Sequence, residues 1–538
     1  MHVLRLFSCN GLLIPSRIGG GCGSEKHVTG SEKFQTIPGL HWSPLPWPVL
    51  AVAAAAATAP AAVEHQSGEA AAAAPAMAAF PALRSADMPG WTSVPRFRSE
   101  QEEQNANGNH ASSPSMLVFS GGTAFNGVVV ELTKFTTRIA HVLPVSDDGG
   151  STAEIVRVLG GPAVGDIRSR CLRLSSESCA EALAVKRLLG HRLSSEDSVA
   201  KSEWYKIVEG DHELWDSVSG PYRETIRAFL VHFQSQILRH SSERFRFANG
   251  SIGNFFFAGA RIFFQSLDAA IFLYSRVSHI PTESLVLPAI CTNDRLTLGC
   301  ELHNGMVIRG QNAISHPLVK DPAGKLPHTV NKIVQGSPPL PSPIKRIFYM
   351  SSEGTNLHHE VFPAVNRTVL EQLLQVDAVV YGMGSLYTSI CPSLVLQGVG
   401  EALSSRSCPK ILILNGTHDR ETAGMSASDF VCAICDALNR KHCDDPCLTL
   451  NHPPSLYISV MLVPAGGEIP VDLGNLAGMG IKYVVTVEAI HEESLGVLYE
   501  PKALIAALQM AVSTHLPVDC KLVPDKSDNS LTTSNQIP

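Results

Sequence analysis

The chain has 538 residues, a formal net charge of −7 at pH 7 and a pI near 6.3. This charge balance gives no electrostatic footprint for nucleic acid, and no stretch of the sequence is long and apolar enough to span a bilayer. Thirteen cysteines in so long a chain, without a recognisable signal sequence, favour free thiols in a reducing compartment.

Residues 1–115 differ in composition from the rest of the chain. Alanine, proline, glycine and serine dominate there, above all in Ala51–Ala62, and such a segment buries too little apolar surface to offset its ordering entropy. The first 24 residues hold no acid, contain Arg5 and Arg17, and carry several serines, as organelle transit peptides do. We therefore expect a disordered leader with a chloroplast transit peptide. A mitochondrial address, or a plain extension on a cytoplasmic protein, is the alternative.

From Met116 the sequence alternates between strand and helix patterns. An apolar run at Met116–Phe119 breaks into Ser-Gly-Gly-Thr, and a second run at Ile139–Val145 breaks into Asp-Asp-Gly-Gly-Ser at 147–151. A doubly wound α/β domain builds its site from this order of strand, glycine turn, helix, strand and turn. We predict a doubly wound, Rossmann-like α/β fold with a mostly parallel sheet and helices on both faces.

Such turns favour an anionic ligand. Glycines let the backbone approach a phosphate, and the following helix N-terminus supplies free N–H groups and a positive dipole end. A nucleotide is therefore the leading hypothesis for the ligand, and two ordinary βα turns are the alternative.

The remaining elements follow from the spacing of apolar residues. Apolar side chains three and four positions apart predict a helical insertion at 181–245, and the very apolar Phe255–Phe264 predicts a buried helix. Later strands are predicted at Lys345–Met350, Ala378–Tyr381, Ile411–Leu414, LYISVMLVP and IKYVVTVEAI, before a closing helix in ALIAALQMAV. We expect one α/β domain over 116–515 and a disordered tail over 516–538.

Seven blocks of the chain carry a family resemblance. They are SGGTAFNG at 120–127, VSDDGGST at 145–152, GDIR at 165–168, GN at 253–254, LPAICTNDRLTLGCELHNGMVIRGQNAI at 287–314, YGMGSLYTSICPSLVLQGV at 381–399 and ETAGMSASDFVCAI at 421–434. In this order they resemble the family that joins the 2-phospho-L-lactate transferase CofD with the gluconeogenesis factor YvcK. The DDGGST and GDIR blocks resemble the YvcK branch more closely.

The resemblance implies a nucleotide or nucleotide-sugar ligand and leaves two functions open. In the first, a transferase moves a phosphate-ester group from a nucleotide-diphosphate donor to a hydroxyl acceptor. In the second, a non-catalytic protein binds a nucleotide sugar and regulates carbon metabolism. In either case the expected partner is a small nucleotide ligand rather than nucleic acid or membrane, and the expected assembly is a homodimer.

Asp147 and Asp148 are the candidate catalytic and metal-binding residues. Neighbouring carboxylates are costly to hold together unless a cation or hydrogen-bond donors neutralise them. One of the two carboxylates is suited to bind Mg²⁺ that is carried by a diphosphate. The other is suited to orient or deprotonate an attacking hydroxyl. The alternative is an aspartate that caps the next helix.

The candidate substrate-binding residues come from four blocks. They are Gly121, Gly122 and Thr123 in the first glycine turn, Gly382, Gly384 and Ser385 in the second, and Arg168 and Asn254 between them. Glycines followed by hydroxyls form anion cradles, and a guanidinium matches a phosphate. The alternatives are plain connecting turns, a surface Asp–Arg pair and a helix N-cap.

Five positions depart from the family pattern. Ala124 and Ala153 replace glycines, which is tolerable where the local φ is negative. Ser169 and Met383 replace Asn and Pro, and Gly250 stands near an expected His. Loss of that His weakens any inherited mechanism that needs a protonated base there, so a retained ligand with altered or absent chemistry stays open.

Overall fold

The structure of the chain is a computed structural model that describes residues 113–146, 149–240, 244–316, 338–351, 359–440, 450–493 and 495–513. The predicted leader up to residue 112 and the predicted tail lie outside these ranges. Asp147 and Asp148 also lie outside them.

Strands in the described ranges form three sheets. They are β1 Met116–Phe119, β2 Ile139–Leu143, β3 Leu285–Pro288, β4 Leu296–Leu302, β5 Val307–Arg309, β6 Ile344–Ser351, β7 Glu360–Val361, β8 Ala378–Tyr381, β9 Lys410–Ile413, β10 Val460–Pro464, β11 Tyr483–Val487, β12 Ala489–Glu492 and β13 Gly496–Tyr499. The central sheet has the order β11-β10-β9-β8-β1-β2-β3, and every pair in it is parallel. The doubly wound parallel sheet predicted from the sequence is therefore confirmed.

The helices of the described ranges connect and cover these strands. They are α1 Val129–Phe135, α2 Gly150–Leu159, α3 Gly165–Leu174, α4 Ala180–Gly190, α5 Asp197–Glu209, α6 Gly220–Arg239, α7 Ile252–Phe264, α8 Leu267–Val277, α9 Gln311–Ser315, α10 Arg367–Leu373, α11 Cys391–Leu394, α12 Val399–Ser404, α13 Ala427–Leu438, α14 Leu473–Gly478 and α15 Pro501–Val512. Connections between parallel strands of one sheet are right-handed. The strand order runs in one direction from β1 to β3 and in the opposite direction from β8 to β11, so the connecting helices of these two halves cover opposite faces of the central sheet.

The central strands are buried on both faces. Every residue of β1, β2, β8, β9 and β10 is buried, as expected where helices cover both sides of a parallel sheet. This is why these strands appear in the sequence as short continuous apolar runs. The predicted strands at Met116–Phe119, Ala378–Tyr381 and Ile411–Leu414 are confirmed as β1, β8 and β9.

The predicted helical insertion consists of α4, α5 and α6, and α7 packs along α6. Trp204 forms the centre of their aromatic core, with its ring 5.0 Å from Phe255 and 5.8 Å from Phe233. Phe233 and Phe255 stack at 4.7 Å. The predicted buried helix is confirmed as α7, although Phe263 at its end is 60% exposed. Within the described residues, no helix is long and apolar enough to cross a membrane.

The four-stranded antiparallel sheet was not predicted from the sequence. Its order is β5-β4-β6-β7, and β4 pairs with β6 from Leu296↔Ser351 to Leu302↔Ile344. The predicted strand at Lys345–Met350 is real, but it lies here as β6 rather than in the central sheet. In the sequence, the four strands of this sheet lie between β3 and β8, the strands that end the first part of the central sheet and begin the second.

A chain shortened to begin at Ser112 is expected to keep the melting temperature of the full chain. The leader has no periodic apolar face, whereas Ser115 anchors the first strand through 2.8 Å bonds from its N–H and Oγ to Asp377 Oδ2. Calorimetry of both chains tests this expectation. A lower melting temperature or aggregation of the shortened chain alone would mean that the leader supports the fold.

Candidate functional site

The two glycine turns leave the central sheet side by side. Strands β1 and β8 are neighbours although all of β2 to β7 lies between them in sequence, and the strand order reverses at this point. Their ladder ends at Phe119↔Tyr381, and Gly382 donates its N–H to Phe119 O at 2.8 Å. In open α/β sheets the crevice for ligands lies at such a reversal, beyond the carboxyl ends of the strands.

The first turn points its carbonyls inward. Arg170 Nη2 donates to Gly121 O at 2.9 Å, and Asn126 Nδ2 donates to Gly122 O. These peptides are trans, so the N–H groups of Gly122 and Thr123 point away from the carbonyls. Neither N–H has a hydrogen-bond acceptor among the described residues. Two adjacent N–H groups directed outward form the kind of concavity that binds anions.

Space at the first turn requires glycine. A Cβ on Gly122 would lie 2.2 Å from Asp166 Oδ1 and 2.8 Å from Asp166 Cα, and a Cβ on Gly121 would lie 2.6 Å from Ser389 Oγ. The turn therefore contacts both the GDIR block and the segment after the second turn. Ala124 fits because its φ of −61° is ordinary for alanine, and Ala153 lies inside α2.

Arg168 and Asn254 connect three of the sequence blocks. Arg168 Nε donates to Asn254 Oδ1 at 3.1 Å, and Asn254 Nδ2 donates to Ser151 Oγ at 2.8 Å. Arg168 is 9% exposed, and burial lowers its pKa, so the alternative of a surface Asp–Arg pair is wrong. Ser251, rather than Asn254, caps α7 with its side chain, so the capping alternative for Asn254 is wrong as well.

In the sequence, the acidic turn follows β2 and precedes α2. The N-cap of α2 is Gly149, and Ser146, the last described residue before the two aspartates, bonds to Gln311 Oε1 at 3.1 Å. Asp147 and Asp148 themselves are outside the described residues. Among the residues that are described, no group of three His, Cys, Asp or Glu side chains is arranged to hold a metal ion.

The second turn is fixed by a residue that follows β9. Asn415 Oδ1 accepts from Gly384 N at 3.0 Å, and Asn415 Nδ2 donates to Gly384 O at 2.9 Å. The φ of Gly384 is +142°, which favours glycine. Ser385 is partly exposed and precedes a π-helical turn at Leu386–Ile390, a conformation that is common at functional sites.

Glu421 is a site residue that the sequence analysis did not single out. Its Oε1 accepts from Ser315 Oγ at 2.7 Å and Thr388 Oγ1 at 2.6 Å, and its Oε2 accepts from Tyr387 N at 3.0 Å. Burial and the charge of Asp419 raise the pKa of Glu421 to about 8, although its three hydrogen bonds oppose this shift. The carboxyl therefore holds the π-helical turn behind the second glycine turn.

Glu421 and Tyr387 also line a cavity of about 590 Å³. Its walls include residues of β6 and α13, among them Arg346 and Asp436, and Arg440 just after α13. The glycine turns do not line it. The cavity is therefore distinct from the two glycine turns, although Glu421 and Tyr387, which line it, belong to the segment behind the second turn.

The sequence of the chain is similar to a known family over the whole central sheet. A profile of the family described as 2-phospho-L-lactate transferase CofD matches residues 116–487, from the start of β1 to the end of β11. All the site residues described above lie within this match.

Individual proteins are similar over the same region. An uncharacterized protein of Saccharomyces cerevisiae is 34% identical over 378 residues, which cover 61% of this chain and 83% of the yeast protein. A gluconeogenesis factor of Halalkalibacterium halodurans is 26% identical over 377 residues, 68% of this chain and 87% of that protein. A crystal structure of a Bacillus halodurans protein covers 74% of this chain and 100% of its own, with a TM-score of 0.50 and 21% identity, and shows a shared fold.

Proposed function

Because the chain belongs to the 2-phospho-L-lactate transferase CofD family, we propose that the cleft between its two glycine turns binds the diphosphate of a nucleotide or nucleotide sugar. The outward N–H groups of Gly122 and Thr123, at the reversal of strand order, carry this proposal. Gly382, Gly384 and Ser385 lie on the adjacent strand end, so the two turns suit the two ends of one diphosphate.

Arg168 supports the same ligand from the side. Its Nε donates a hydrogen bond to Asn254 Oδ1, and the guanidinium makes no other hydrogen bond with the described residues. A planar fork of remaining donors suits a phosphate. Asn254 and Ser151 keep this guanidinium in place at the start of α2, whose N-terminus adds the positive end of a helix dipole.

The proposed reaction is the transfer of a phosphate ester to a hydroxyl. The acceptor oxygen attacks the distal phosphorus, the bridging P–O bond breaks, and a nucleoside monophosphate leaves with the bonding electron pair. In this scheme one of Asp147 and Asp148 accepts the hydroxyl proton, and the N–H groups of the first turn stabilise charge on the phosphoryl oxygens.

The alternative function is regulatory binding without turnover. Gly250 stands near the position where the family pattern has a histidine, and a Cβ there would lie 2.5 Å from the Phe255 ring and 2.8 Å from Phe247 O. No larger side chain fits this loop, so a basic group cannot act from it. The similarity to a gluconeogenesis factor supports a regulatory role in carbon metabolism, for which we propose a nucleotide sugar as the ligand.

We propose Mg²⁺ as the metal ion that accompanies the diphosphate. The ion favours one or two carboxylates combined with phosphate oxygens rather than a cage made only of protein ligands. Asp147 and Asp148, which lie in the sequence between β2 and α2, would supply those carboxylates. When bound, the ion would neutralise the charge of the diphosphate.

Binding and turnover separate the two functions. Titration calorimetry with UDP, GDP and a UDP-sugar tests the ligand, and chromatographic detection of released nucleoside monophosphate in the presence of hydroxyl acceptors tests the transfer. Saturable binding with release supports the transferase, and saturable binding without release supports the regulator. Absence of binding by every diphosphate would overturn the proposed function.

Asp148→Asn is expected to weaken the Mg²⁺ dependence of diphosphate binding sharply. The change preserves size but removes one of two adjacent charges, so the melting temperature should stay the same or rise as repulsion is relieved. Calorimetry with and without Mg²⁺ measures the effect, with Asp147→Asn as the paired variant. An unaltered Mg²⁺ response in both variants would contradict the metal assignment.

A further inference from the structure

Arg170 is a guanidinium enclosed beneath the first glycine turn. It is 0% exposed and lies on the face of α3 that also buries Ile167, Cys171 and Leu174. A cation in such a place must find acceptors for its donors and a negative charge to offset its own.

The acceptors of Arg170 are all neutral groups. Its Nε donates to Asn126 Oδ1 at 2.7 Å, its Nη1 bonds to His141 Nδ1 at 2.8 Å, and its Nη2 donates to Ser120 Oγ at 3.2 Å and Gly121 O at 2.9 Å. The guanidinium carbon also lies 5.1 Å from the centre of the Phe125 ring. These contacts use four of the five N–H donors of the guanidinium, and none of the acceptors is charged.

The ionisable groups that act on Arg170 include one carboxyl group, Asp166, which lies one turn earlier on α3. Burial lowers the pKa of Arg170 to about 10, which leaves the side chain positive at neutral pH, and the charge of Asp166 opposes the shift. Burial and the charge of Arg170 hold the pKa of His141 well below its usual value, so this ring is neutral. His141 Nδ1 therefore accepts from the guanidinium, and its Nε2 has no partner among the described residues.

One peptide separates this charge from the cleft. Arg170 holds the carbonyl of Gly121, and the opposite end of the same peptide is the N–H of Gly122, which points outward. An anion that accepts a hydrogen bond from the Gly122 N–H therefore lies on the opposite side of this peptide group from the guanidinium. The peptide group is polarised by both of its partners.

We propose that Arg170 is a positioning residue that makes the first glycine turn selective for anionic ligands, with the bound phosphate as a counter-charge in addition to Asp166. The guanidinium fixes the Gly121 carbonyl inward, and its charge strengthens binding on the other side of the peptide. This inference rests on the proposed function, because it assumes that a phosphate occupies the first turn.

The sharpest test places a negative charge beside Arg170 and leaves Arg170 itself unchanged. His141→Asp puts a carboxylate oxygen close to the position of the Nδ1 acceptor, whereas His141→Asn puts a neutral oxygen there. If the charge of Arg170 strengthens ligand binding, the carboxylate of the Asp variant adds an internal counter-charge to that of Asp166 and weakens this effect. It should bind UDP, GDP and inorganic pyrophosphate about tenfold or more weakly than the Asn variant, with a melting temperature at least as high.

Removal of the guanidinium gives a second and independent measurement. Arg170→Met should also lower pyrophosphate and nucleoside-diphosphate affinity by about tenfold or more. Arg173→Met is the matched control, because Arg173 lies on the same helix, is exposed, and changes the net charge equally. The control should bind as the unaltered chain does.

The outcomes distinguish this inference from the proposed function. If the unaltered chain binds no diphosphate, both fail. If it binds, but His141→Asp and His141→Asn bind equally, Arg170 is only a structural support and the inference alone fails. Should Arg170→Met fail to fold, the His141 pair still decides the question, since both variants keep Arg170.

Discussion

Gly122→Ala is expected to abolish diphosphate binding and to lower the free energy of unfolding by about 3 kcal/mol. The new Cβ would overlap the Asp166 carboxylate at 2.2 Å and the Asp166 Cα at 2.8 Å, and the Cα belongs to α3 and cannot move freely. Relief of this overlap must shift the turn and redirect the N–H groups of Gly122 and Thr123. Urea unfolding and pyrophosphate titration measure the two effects.

Gly127→Ala is the matched control for this variant. Gly127 ends the same turn, and a Cβ there meets nothing within 4 Å. Its stability should be unchanged or slightly raised, because alanine restricts the unfolded chain more than glycine does. Wild-type affinity in Gly122→Ala would place the phosphate elsewhere.

Glu421→Gln is expected to make the protein more stable than the unaltered chain at pH 9, by on the order of 3 kcal/mol. The amide can donate to Ser315 and Thr388 while its oxygen accepts from Tyr387 N, as a protonated carboxyl can. At pH 5 the two proteins should differ little, since Glu421 is then protonated in the folded chain.

The direction of this pH dependence follows from how many protons the folded and the unfolded chain bind. A carboxyl with a pKa of about 8 in the folded chain and an ordinary value near 4.3 in the unfolded chain binds more protons when folded between these values. Its contribution to stability is therefore complete below the unfolded pKa and decreases as pH rises to about 8. Above that pH both states are ionised, and the contribution stays constant.

The measurement is the difference in unfolding free energy between Glu421→Gln and the unaltered chain from pH 5 to pH 9. Glu224→Gln serves as the control, because Glu224 is exposed on α6. A difference that does not change with pH would show that Glu421 is ionised throughout this range.

Local features of the fold could be predicted because they depend on neighbouring residues. The buried strands β1, β8 and β9 appear as apolar runs, and the glycine turns follow them directly. Strand order could not be predicted in the same way, because the pairing of β1 with β8 joins segments with most of the chain between them. The antiparallel sheet was missed because β4 and β6 are likewise separated by a long connection.

The site was predicted less completely than the fold. Arg168 and Asn254 were chosen from their motifs, and the structure brings them together with Ser151. Arg170 was missed, although Ile167, Cys171 and Leu174 show the helical spacing of a buried face that includes it. Glu421 opens the block at 421–434, but its role could not be predicted, because its partners Ser315 and Thr388 come from distant segments.

The pairing of β1 with β8 has a consequence during synthesis on the ribosome. Ser115 and Asp377, which meet beside this pair, are 262 residues apart, so one edge of β1 stays without its partner until most of the chain has been translated. An open edge of an apolar strand is a site for wrong pairing. The nascent protein therefore carries this risk of wrong pairing until β8 has left the exit tunnel.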